Sequence, residues 1–451
     1  MSPEVEPGWR RGLPFVAVAA VLVIRLLAAS ALGLAADEAY YWRWAERLDW
    51  GYYDHPPGIA AVIALGCAVF GDTELGVRAA GLTLQAAATA ALLTVADARD
   101  RGLLALLLLG SPLLALGGML STPDVPLLAC WGLGLVAASR RRWALMGVAC
   151  GLAMMSKLTG WVLWPCIFMA WPEKRSWRIY VVGALAVLVC APNLAWNATH
   201  GWVAYGFQLR HGLVAETEMP GFGGLMTYLG AQAGLLNPLV AVGVLACWLR
   251  GPRDLWWWAS VLPFVAFGAA SFVGHSEPNW AAPAWLGAFV ALSRSSGRVR
   301  SLAWWGGGLA AVTSAVVLLH ALNPLFFDRR DPTHELRMGR AVGEAVAAGA
   351  EELAGLDGLD GQVVTSRYQE ASWVHFYAGL DATTLPGVGR VDQHELWGRA
   401  LTAETLYVRG YRGSPQTDAD DLYTLDEPVV VEAAHEGRRI KRWQIYRAVA
   451  R

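Results

Sequence analysis

Charge is scarce in this chain, and its scarcity excludes an ordinary water-soluble fold. Only 16% of the 451 residues are charged, whereas 55% are hydrophobic and the mean hydropathy is +0.37. A soluble chain of this length needs far more charge to cover its surface. The net charge is −1, so the chain lacks the excess of basic residues that binding to a nucleic acid requires. We therefore expect a polytopic membrane protein that lies in the lipid bilayer and has no nucleic-acid partner.

Cysteine is rare as well, and its positions do not indicate a disulfide framework. The six cysteines all fall in or beside apolar runs and are Cys67, Cys130, Cys150, Cys166, Cys190 and Cys247. None lies in the C-terminal tail, so we interpret them as small apolar packing residues. Internal repeats and low-complexity segments are not evident either.

Long apolar runs are what the chain has instead. They cover residues 13–36, 76–96, 101–120, 124–139, 143–155, 158–171, 178–196, 223–249, 255–274, 280–293 and 301–321. Several reach the length of about 20 residues that a membrane helix needs, which predicts about 11 transmembrane helices. The first run is too long for a cleaved signal, so we expect a retained helix. Runs 143–155 and 158–171 predict half-length or steeply packed helices that meet at Ser156-Lys157.

Basic residues predict the orientation of these runs in the membrane. If the N-terminus is cytoplasmic, most Lys and Arg before the tail fall in cytoplasmic segments, as the positive-inside rule requires. The few that fall on the outer side are Arg43, Arg47, Arg78, Lys157 and Arg210. The same assignment places residues 37–75, the first outer loop, and the C-terminal tail outside the cytoplasm.

The composition changes near Leu322, which predicts a second domain. Residues 332–353 and 368–380 have helical patterns, whereas residues 361–366, 405–410, 428–434 and 438–447 are typical of strands. We therefore predict a transmembrane domain over residues 1–321 and a small extracytoplasmic α/β domain over residues 322–451.

The first outer loop begins with DEAYYWRWAERLDWGYYDHPP, which is rich in Trp and Tyr. Tyr40, Trp44 and Leu48 recur at every fourth position, which predicts an interfacial helix in the headgroup plane. Residues 58–70 predict a second helix that skims or partly enters the membrane. Acids beside such a helix indicate chemistry at a bilayer surface.

Ionisable and polar residues collect where the apolar runs reach the outer side. They are Asp37, Glu38, Asp54, His55, Asp124, Lys157, His200, Gln208, Arg210, His211, His275, Glu277 and Asn279. Each has an alternative interpretation: Asp124 as a helix cap, Lys157 as a snorkelling side chain, His200 and His211 as wet loop residues, and His275 with Glu277 as a surface ion pair. Together they favour acid–base chemistry on a polar group, with cations for a phosphate.

Five motifs carry a resemblance to a known family. DEAYYWRWAERLDWGYYDHPP, STPDVPL, Ser156-Lys157, APNLAWNATHGWVAYGFQLRHG and HSEPNWAAPAW together resemble bacterial integral-membrane glycosyltransferases of the GT-C superfamily. The branch with protein O-mannosyltransferases and lipid A aminoarabinose transferases is the most similar. The resemblance implies a GT-C-like fold in the cytoplasmic membrane. It also implies a polyprenyl-phosphate-linked sugar donor and an acceptor outside the cytoplasm.

The resemblance also implies roles for individual residues. Asp37, with Glu38 beside it, matches the catalytic acid after the first span, and Asp124 matches a second outer-loop acid. Lys157 matches a cation that faces the lipid phosphate, and Tyr368 lies in SRYQEAS, the matching part of the tail. His55, beside Asp54, replaces a Lys of the aminoarabinose transferases, which weakens the transfer of their lipid A specificity and metal site.

The residues alone are consistent with inverting sugar transfer. A sugar phosphate already has a good leaving group, so the enzyme must chiefly deprotonate an acceptor hydroxyl. We predict Asp37 as that base, with Lys157 and Arg210 stabilising the departing phosphate. The further candidates for donor or substrate binding are His200, Gln208, His211, His275, Glu277, Asn279 and Tyr368.

No cofactor is required by this pattern, and a divalent metal ion is left open. Asp54, His55, Asp124 and His275 are the candidate ligands, although they lack a compact metal-binding spacing. Arg25, inside the first span, either reaches the carrier phosphate or pairs with another helix.

Two other function classes compete with sugar transfer. A transporter or flippase of lipid-linked sugars predicts polar groups at mid-membrane and repeated halves, and the sequence shows neither. A non-catalytic scaffold with a partner-binding tail leaves the outer acids unexplained. The acceptor stays open among protein hydroxyls, lipids and glycans.

Overall fold

The computed structural model describes residues 8–171, 176–213, 221–274, 276–326, 331–354, 362–398, 400–410, 419–435 and 438–451. Residue contacts divide the chain into two compact units. The membrane unit comprises Met1–Leu27, Leu48–Gly71 and Arg78–Leu318. The tail unit comprises Ala28–Arg47, Asp72–Val77 and Leu319–Arg451. Part of the first outer loop therefore belongs with the tail by its contacts, and the predicted boundary at residue 322 stays a prediction.

Helices make up the first three quarters of the chain. They are α1 (Gly8–Ala31), α2 (Ala36–Ala45), α3 (Gly58–Phe70), α4 (Glu74–Leu93), α5 (Ala98–Gly110), α6 (Pro112–Ala115), α7 (Asp124–Ser139), α8 (Trp143–Met154), α9 (Leu163–Ala170), α10 (Trp177–Thr199), α11 (Val203–Leu213), α12 (Phe222–Leu236), α13 (Pro238–Arg250), α14 (Leu255–Val273), α15 (Ala282–Ser293) and α16 (Gly297–Leu322). Short 3-10 turns cover Gly117–Met119, Leu158–Val162 and Pro278–Ala281.

Their length and composition are those of a multi-pass membrane protein. Within the described residues, five helices are long and apolar enough to cross a membrane. Two bent helix pairs raise the number to seven if each pair is one span, and shorter apolar helices accompany them. The predicted number of about 11 crossings therefore stays a prediction.

The run at residues 223–249 is not one helix, contrary to the sequence pattern. α12 and α13 meet at an angle of 110°. Asn237 lies between them with a φ of 65°, and its side chain accepts hydrogen bonds from the N–H groups of Leu239 and Val240. Pro238 then begins α13, where its missing N–H costs nothing. A capping Asn followed by Pro thus ends one helix and starts the next.

The predicted break at Ser156-Lys157 is present. α8 ends at Met154, and the 3-10 turn Leu158–Val162 leads into α9. Gly160 lies so close to α8 that an added Cβ would be 2.1 Å from the carbonyl oxygen of Ala153. The glycine therefore permits the tight return of the chain that leaves Lys157 at the break.

Apolar side chains lie on both sides of the membrane-unit helices. Trp131, Leu163 and Phe289 are buried within one large hydrophobic core. Leu188 and Trp305 are exposed on the outside of the helices, at 68% and 76%. Large exposed apolar surface of this kind is expected where a helix faces lipid rather than water.

The tail unit is a small α/β domain, as predicted. It contains helices α17 (Glu335–Ala354), α18 (Tyr368–Ala378) and α19 (Gln393–Leu396) and strands β1 (Gln362–Thr365), β2 (Asp381–Thr384), β3 (Glu404–Gly410), β4 (Tyr423–Leu425), β5 (Val429–His435) and β6 (Arg438–Ala450). The sheet has the order β2-β1-β3-β6-β4, and β5 also pairs with β6. β1 is parallel to β2 and β3, whereas the pairs that involve β6 are antiparallel. The short strands β2 and β4 escaped the sequence prediction.

The aromatic helix α2 is packed into protein, which makes the prediction of a headgroup anchor wrong. Tyr40 and Trp44 are 1% and 0% exposed. The Tyr40 hydroxyl accepts the N–H of Gln393 at 2.7 Å, and its ring lies 4.5 Å from that of Tyr368. Of the three periodic residues Tyr40, Trp44 and Leu48, only Leu48, which lies beyond the end of α2, is exposed. The periodicity therefore reflects burial in the protein interior, because aromatic side chains pack as readily against protein as at a membrane–water interface.

Candidate active site

A buried ion pair joins two of the predicted polar residues in the membrane unit. Lys157 Nζ lies 2.9 and 3.0 Å from the two carboxylate oxygens of Asp124, and both side chains are almost fully buried. Asn279 Nδ2 donates to Asp124 Oδ2 at 2.7 Å. Three predicted residues thus form one connected group, which we call the Lys157 cluster.

Three helix ends bring these side chains together. Asp124 is the first residue of α7, Lys157 lies at the break after α8, and Asn279 lies in the 3-10 turn before α15. Because the carboxylate accepts from both neighbours, it fixes the position of the ammonium group. A lysine has three donors, so the Lys157 ammonium retains hydrogen-bonding capacity for an anion. The alternatives of a capping Asp124 and a snorkelling Lys157 are not what the structure shows.

Gln232, which is not among the predicted site residues, anchors the loop that carries Asn279. Its Nε2 donates to the carbonyl oxygen of Pro278 at 2.7 Å, while its Oε1 accepts from Trp285 Nε1 at 3.0 Å. Gln232 is 2% exposed. A buried amide with both ends satisfied holds its partners rigidly. The signal was available, because Gln232 is a polar residue inside an apolar run.

The first loop approaches the same break through its DHPPG segment. The N–H of Gly58 donates to the carbonyl oxygen of Met155 at 2.8 Å. An added Cβ on Gly58 would be 2.9 Å from Ser156 Cα, so the contact requires glycine. Gln208 Nε2 donates to the carbonyl oxygen of Asp54 at 2.7 Å and lies 3.4 Å from His55 Nδ1. Asp54 is buried and His55 half-buried.

Helix α10 fixes the earlier part of this loop. Asn193 Nδ2 donates to the carbonyl oxygen of Trp50 at 2.7 Å, and Trp196 Nε1 donates to Asp49 Oδ2 at 2.9 Å. Gly51 lies against the ring of Trp196, where an added Cβ would be 2.4 Å from Cε3. The motif NLAWN in the sequence therefore works as a clamp on the loop.

Of the five remaining predicted residues of the membrane unit, the structure describes four. His200 is exposed, stacks on Trp196, and its Nδ1 lies 2.8 Å from the Trp196 carbonyl oxygen. Arg210 is exposed on α11, and His211 stacks on the ring of Phe207. Glu277 is half-buried before the turn Pro278–Ala281. His275 lies outside the described residues.

The described candidates for a metal site do not come together. Within the described ranges, no three His, Cys, Asp or Glu side chains are grouped so that they could hold a metal ion. The Asp124 carboxylate is instead occupied by Lys157 and Asn279. A metal centre built from Asp54, His55 and Asp124 is therefore not supported.

A second polar group lies in the tail unit around Asp37. The Tyr368 hydroxyl donates to Asp37 Oδ1 at 3.0 Å. The Arg390 guanidinium lies over the Tyr368 ring, 4.6 Å from its centre. Asp37 itself is exposed in the first turn of α2. We call these three residues the Asp37 cluster.

Buried backbone contacts hold this corner of the chain. The Ala35 N–H donates to Glu38 Oε2 and the Ala36 N–H donates to Glu335 Oε1, both at 3.0 Å. Glu38 therefore caps α2, and its carboxylate is occupied by the chain that precedes Asp37. Glu335 is not among the predicted site residues, because no local pattern links it to Ala36, which is distant in the sequence.

Protein around the carboxylate makes Asp37 a stronger proton acceptor. Although the side chain keeps solvent contact, desolvation by the surrounding protein raises the pKa of Asp37 above its ordinary value. The Tyr368 hydrogen bond and the Arg390 charge act against this rise, and the Glu38 charge adds to it. A carboxylate with a raised pKa suits general-base chemistry near neutral pH.

Comparison with known sequences places these residues in context. Residues 54–196 match the family model described as dolichyl-phosphate-mannose-protein mannosyltransferase. The lipid A galacturonosyltransferase RgtD of Rhizobium johnstonii is 26% identical over 315 residues. That match covers 61% of this chain and 63% of the length of RgtD.

Two solved structures resemble this chain over nearly its whole length. The apo structure of ArnT from Cupriavidus metallidurans has a TM-score of 0.65 and 16% identity, covering 97% of this chain and 98% of ArnT. The same ArnT bound to undecaprenyl phosphate has a TM-score of 0.65 and 17% identity, covering 96% and 98%. The chain has the GT-C fold. The predicted resemblance to GT-C transferases of the protein mannosyltransferase and lipid A branch is thereby confirmed.

Within the GT-C fold, the matched family segment includes much of the membrane unit's polar network. Residues 54–196 contain Asp54, His55, Asp124 and Lys157. Asp37 precedes the segment, and Tyr368 and Arg390 follow it. The family match therefore leaves the roles of Asp37, Tyr368 and Arg390 to be assigned from their geometry.

Proposed function

We propose that this protein is an inverting membrane glycosyltransferase. It transfers a sugar from a polyprenyl-phosphate-linked donor to a hydroxyl of an acceptor outside the cytoplasm. Matches to transferase families, the GT-C fold and ArnT bound to undecaprenyl phosphate support this reaction class. The surplus of basic residues on one side of the apolar runs supports a site on the outer face of the cytoplasmic membrane.

The observation that carries the proposal is the Asp37 carboxylate. It is open to solvent, is oriented by the Tyr368 hydroxyl, and has a raised pKa. As general base, Asp37 removes the proton of the acceptor hydroxyl while that oxygen attacks the anomeric carbon. The bond from this carbon to the phosphate oxygen breaks, and the polyprenyl phosphate leaves with inversion at the sugar.

The Lys157 cluster supplies the cation for the phosphate. Asp124 and Asn279 hold the ammonium in place, so little reorganisation is needed when charge develops on the leaving group. Asp124 is thus a positioning residue rather than a second base, because its carboxylate is already bound on both oxygens. Gln208, bound to the Asp54 backbone, holds the first loop beside this cluster.

The acceptor is the least constrained part of the reaction. RgtD carries the name of a lipid A galacturonosyltransferase, and the family model that of a protein mannosyltransferase. His55 stands where the aminoarabinose transferases have Lys, which weakens the transfer of their lipid A specificity to this chain. Lipid, protein and glycan hydroxyls therefore all belong in the test, with envelope glycolipids first.

Mass spectrometry of envelope glycolipids and glycoproteins tests the proposal. Cells with the wild-type chain should contain a sugar-modified species that cells with the Asp37→Asn chain lack, at equal protein levels in the membrane. Purified protein in vesicles should consume a polyprenyl-phosphate sugar only when the acceptor is present. If Asp37→Asn leaves the modification unchanged while vesicles flip the donor lipid, the chain is a flippase instead.

A further inference from the structure

A cavity in the membrane unit contains a charge that the proposed reaction does not use. It has a volume of about 550 Å³ and lies between α1, α5, α6 and α16. Its wall is mostly apolar and includes Val21, Leu106 and Leu318. Arg25 of α1 is the charged side chain among the described residues that line it.

Arg25 has no protein partner among the described residues. The hydroxyl of Ser314, also in the cavity wall, is occupied because it donates to the carbonyl oxygen of Gly110 at 2.8 Å. No described carboxylate or carbonyl lies within hydrogen-bond distance of the Arg25 guanidinium. A guanidinium in an apolar segment is costly unless an anion accompanies it. Among the described residues no such anion is present, so a bound anionic ligand is the partner that this part of the chain calls for.

The shape of the cavity indicates what carries that anion. Its wall follows α1 from Leu13 to Arg25, which is about 18 Å at the helical rise per residue. One leaflet contributes roughly 15 Å of hydrocarbon, so the cavity is about as long as one lipid chain. Leu13 and Ile24 are 51% and 54% exposed, which leaves this side of the cavity open to lipid.

We infer that this cavity binds an anionic phospholipid, with one chain along α1 and the phosphate at Arg25. Arg25 lies six residues before the end of α1, or about 9 Å, a depth at which arginine draws headgroups and water inward. The bilayer supplies phospholipid at high local concentration, so a modest affinity suffices for occupancy. Arg25 and this cavity take no part in the proposed sugar transfer, so the lipid site is independent of that activity.

Native mass spectrometry of the full chain tests this assignment. Protein from nanodiscs with equal phosphatidylglycerol and phosphatidylcholine should retain one phosphatidylglycerol, preferred over phosphatidylcholine by about tenfold. Both lipids offer a phosphate to Arg25, but the choline cation of phosphatidylcholine offsets that negative charge and is repelled by the guanidinium. Arg25→Leu should abolish the preference, and Arg25→Gln should reduce it. Equal retention of the two lipids by the wild-type protein would refute the site, whatever the folding of the variants.

A matched pair of substitutions on α16 tests where the lipid chain binds. Ala315 lines the cavity, whereas Val312 is 61% exposed on the same helix and does not line it. Ala315→Trp should fill the cavity and lower phosphatidylglycerol retention about tenfold, and Val312→Trp should leave it unchanged. Equal effects of the two variants would contradict the location. Displacement of phosphatidylglycerol by equimolar polyprenyl phosphate would overturn the choice of lipid and assign the cavity to the carrier.

Discussion

Asp124 and Asp37 both lie in the first turn of a helix that follows an apolar segment, yet their surroundings differ sharply. Asp124 is 8% exposed, and both carboxylate oxygens are bound by Lys157. Asp37 is exposed and accepts its hydrogen bond from the neutral hydroxyl of Tyr368, while the Arg390 charge acts on it without a hydrogen bond among the described contacts. One carboxylate holds a cation, whereas the other is available to a proton.

The difference in surroundings gives the two carboxylates different chemical properties. A carboxylate bound to an ammonium group keeps its charge and positions its partner. A carboxylate whose pKa is raised accepts a proton readily near neutral pH. The comparison therefore predicts that removing Asp37 affects chemistry alone, whereas disrupting the Lys157 cluster affects both folding and chemistry.

The largest expected effect is that of Asp37→Asn. The change keeps the size of the side chain and removes the base, so sugar transfer should fall about 10²- to 10⁴-fold. The melting temperature in detergent should stay near that of the wild type, since Asp37 is exposed. Glu344→Gln, an exposed acid on α17, is the matched control and should retain transfer. Transfer by Asp37→Asn at the control's rate would end the assignment.

The next effect is that of Lys157→Met, measured as stability. It leaves the Asp124 carboxylate buried without its cation, which should lower the free energy of unfolding by about 3–5 kcal/mol. Adding Asp124→Asn removes the stranded charge while keeping an acceptor for Asn279, so much of the stability should return.

Transfer activity distinguishes the structural from the catalytic role of this pair. The double variant should fold and remain inactive, because no ammonium group is left for the phosphate. A double variant that regains both stability and transfer would show that the ion pair is only structural.

Local patterns predicted those parts of the fold that depend on neighbouring residues. Apolar runs predicted most helices, and β-branched residues predicted β1, β3, β5 and β6. The bend at Asn237 was missed because capping chemistry outweighs hydropathy. β2 was missed because DATT is short and polar, so its strand form depends on pairing with β1.

The candidate site also has residues that local sequence patterns predict and residues that they do not. Asp37, Asp124 and Lys157 stand out because ionisable groups are rare beside apolar runs. Their partners could not be predicted, since Asn279 and Lys157 bind one carboxylate from positions far apart in sequence. Arg390 and Glu335 belong to the tail unit, and only their tertiary contacts connect them with Tyr368 and Ala36. The aromatic periodicity of α2 gave the wrong surroundings, because it does not distinguish burial in protein from an interface.

A smaller effect is expected from Gln232→Leu, which makes the position of Asn279 less fixed although Gln232 does not contact Lys157 or Asp124 in the described structure. The loop that carries Asn279 loses its anchor at Pro278, so transfer should fall about tenfold, mostly as a higher KM for the donor. Kinetics of the single variants and of Gln232→Leu with Asn279→Ala measure the coupling. Because both changes act through the same contact with Asp124, their effects should be less than additive. Full additivity would mean that Gln232 acts elsewhere.

The smallest effect is that of Tyr368→Phe, and it tests the Asp37 cluster through pH. The Tyr368 hydroxyl stabilises the ionised form of Asp37, which lowers its pKa. Removing the hydroxyl should raise that pKa further, so the fall of transfer on acidification should begin at a higher pH. Arg390→Gln should move the profile in the same direction, because its positive charge also lowers the pKa of Asp37. If Tyr368 only bound substrate, KM would rise at every pH and the acidic limb would not move, so the profile separates the two roles even when the rate at alkaline pH is unchanged.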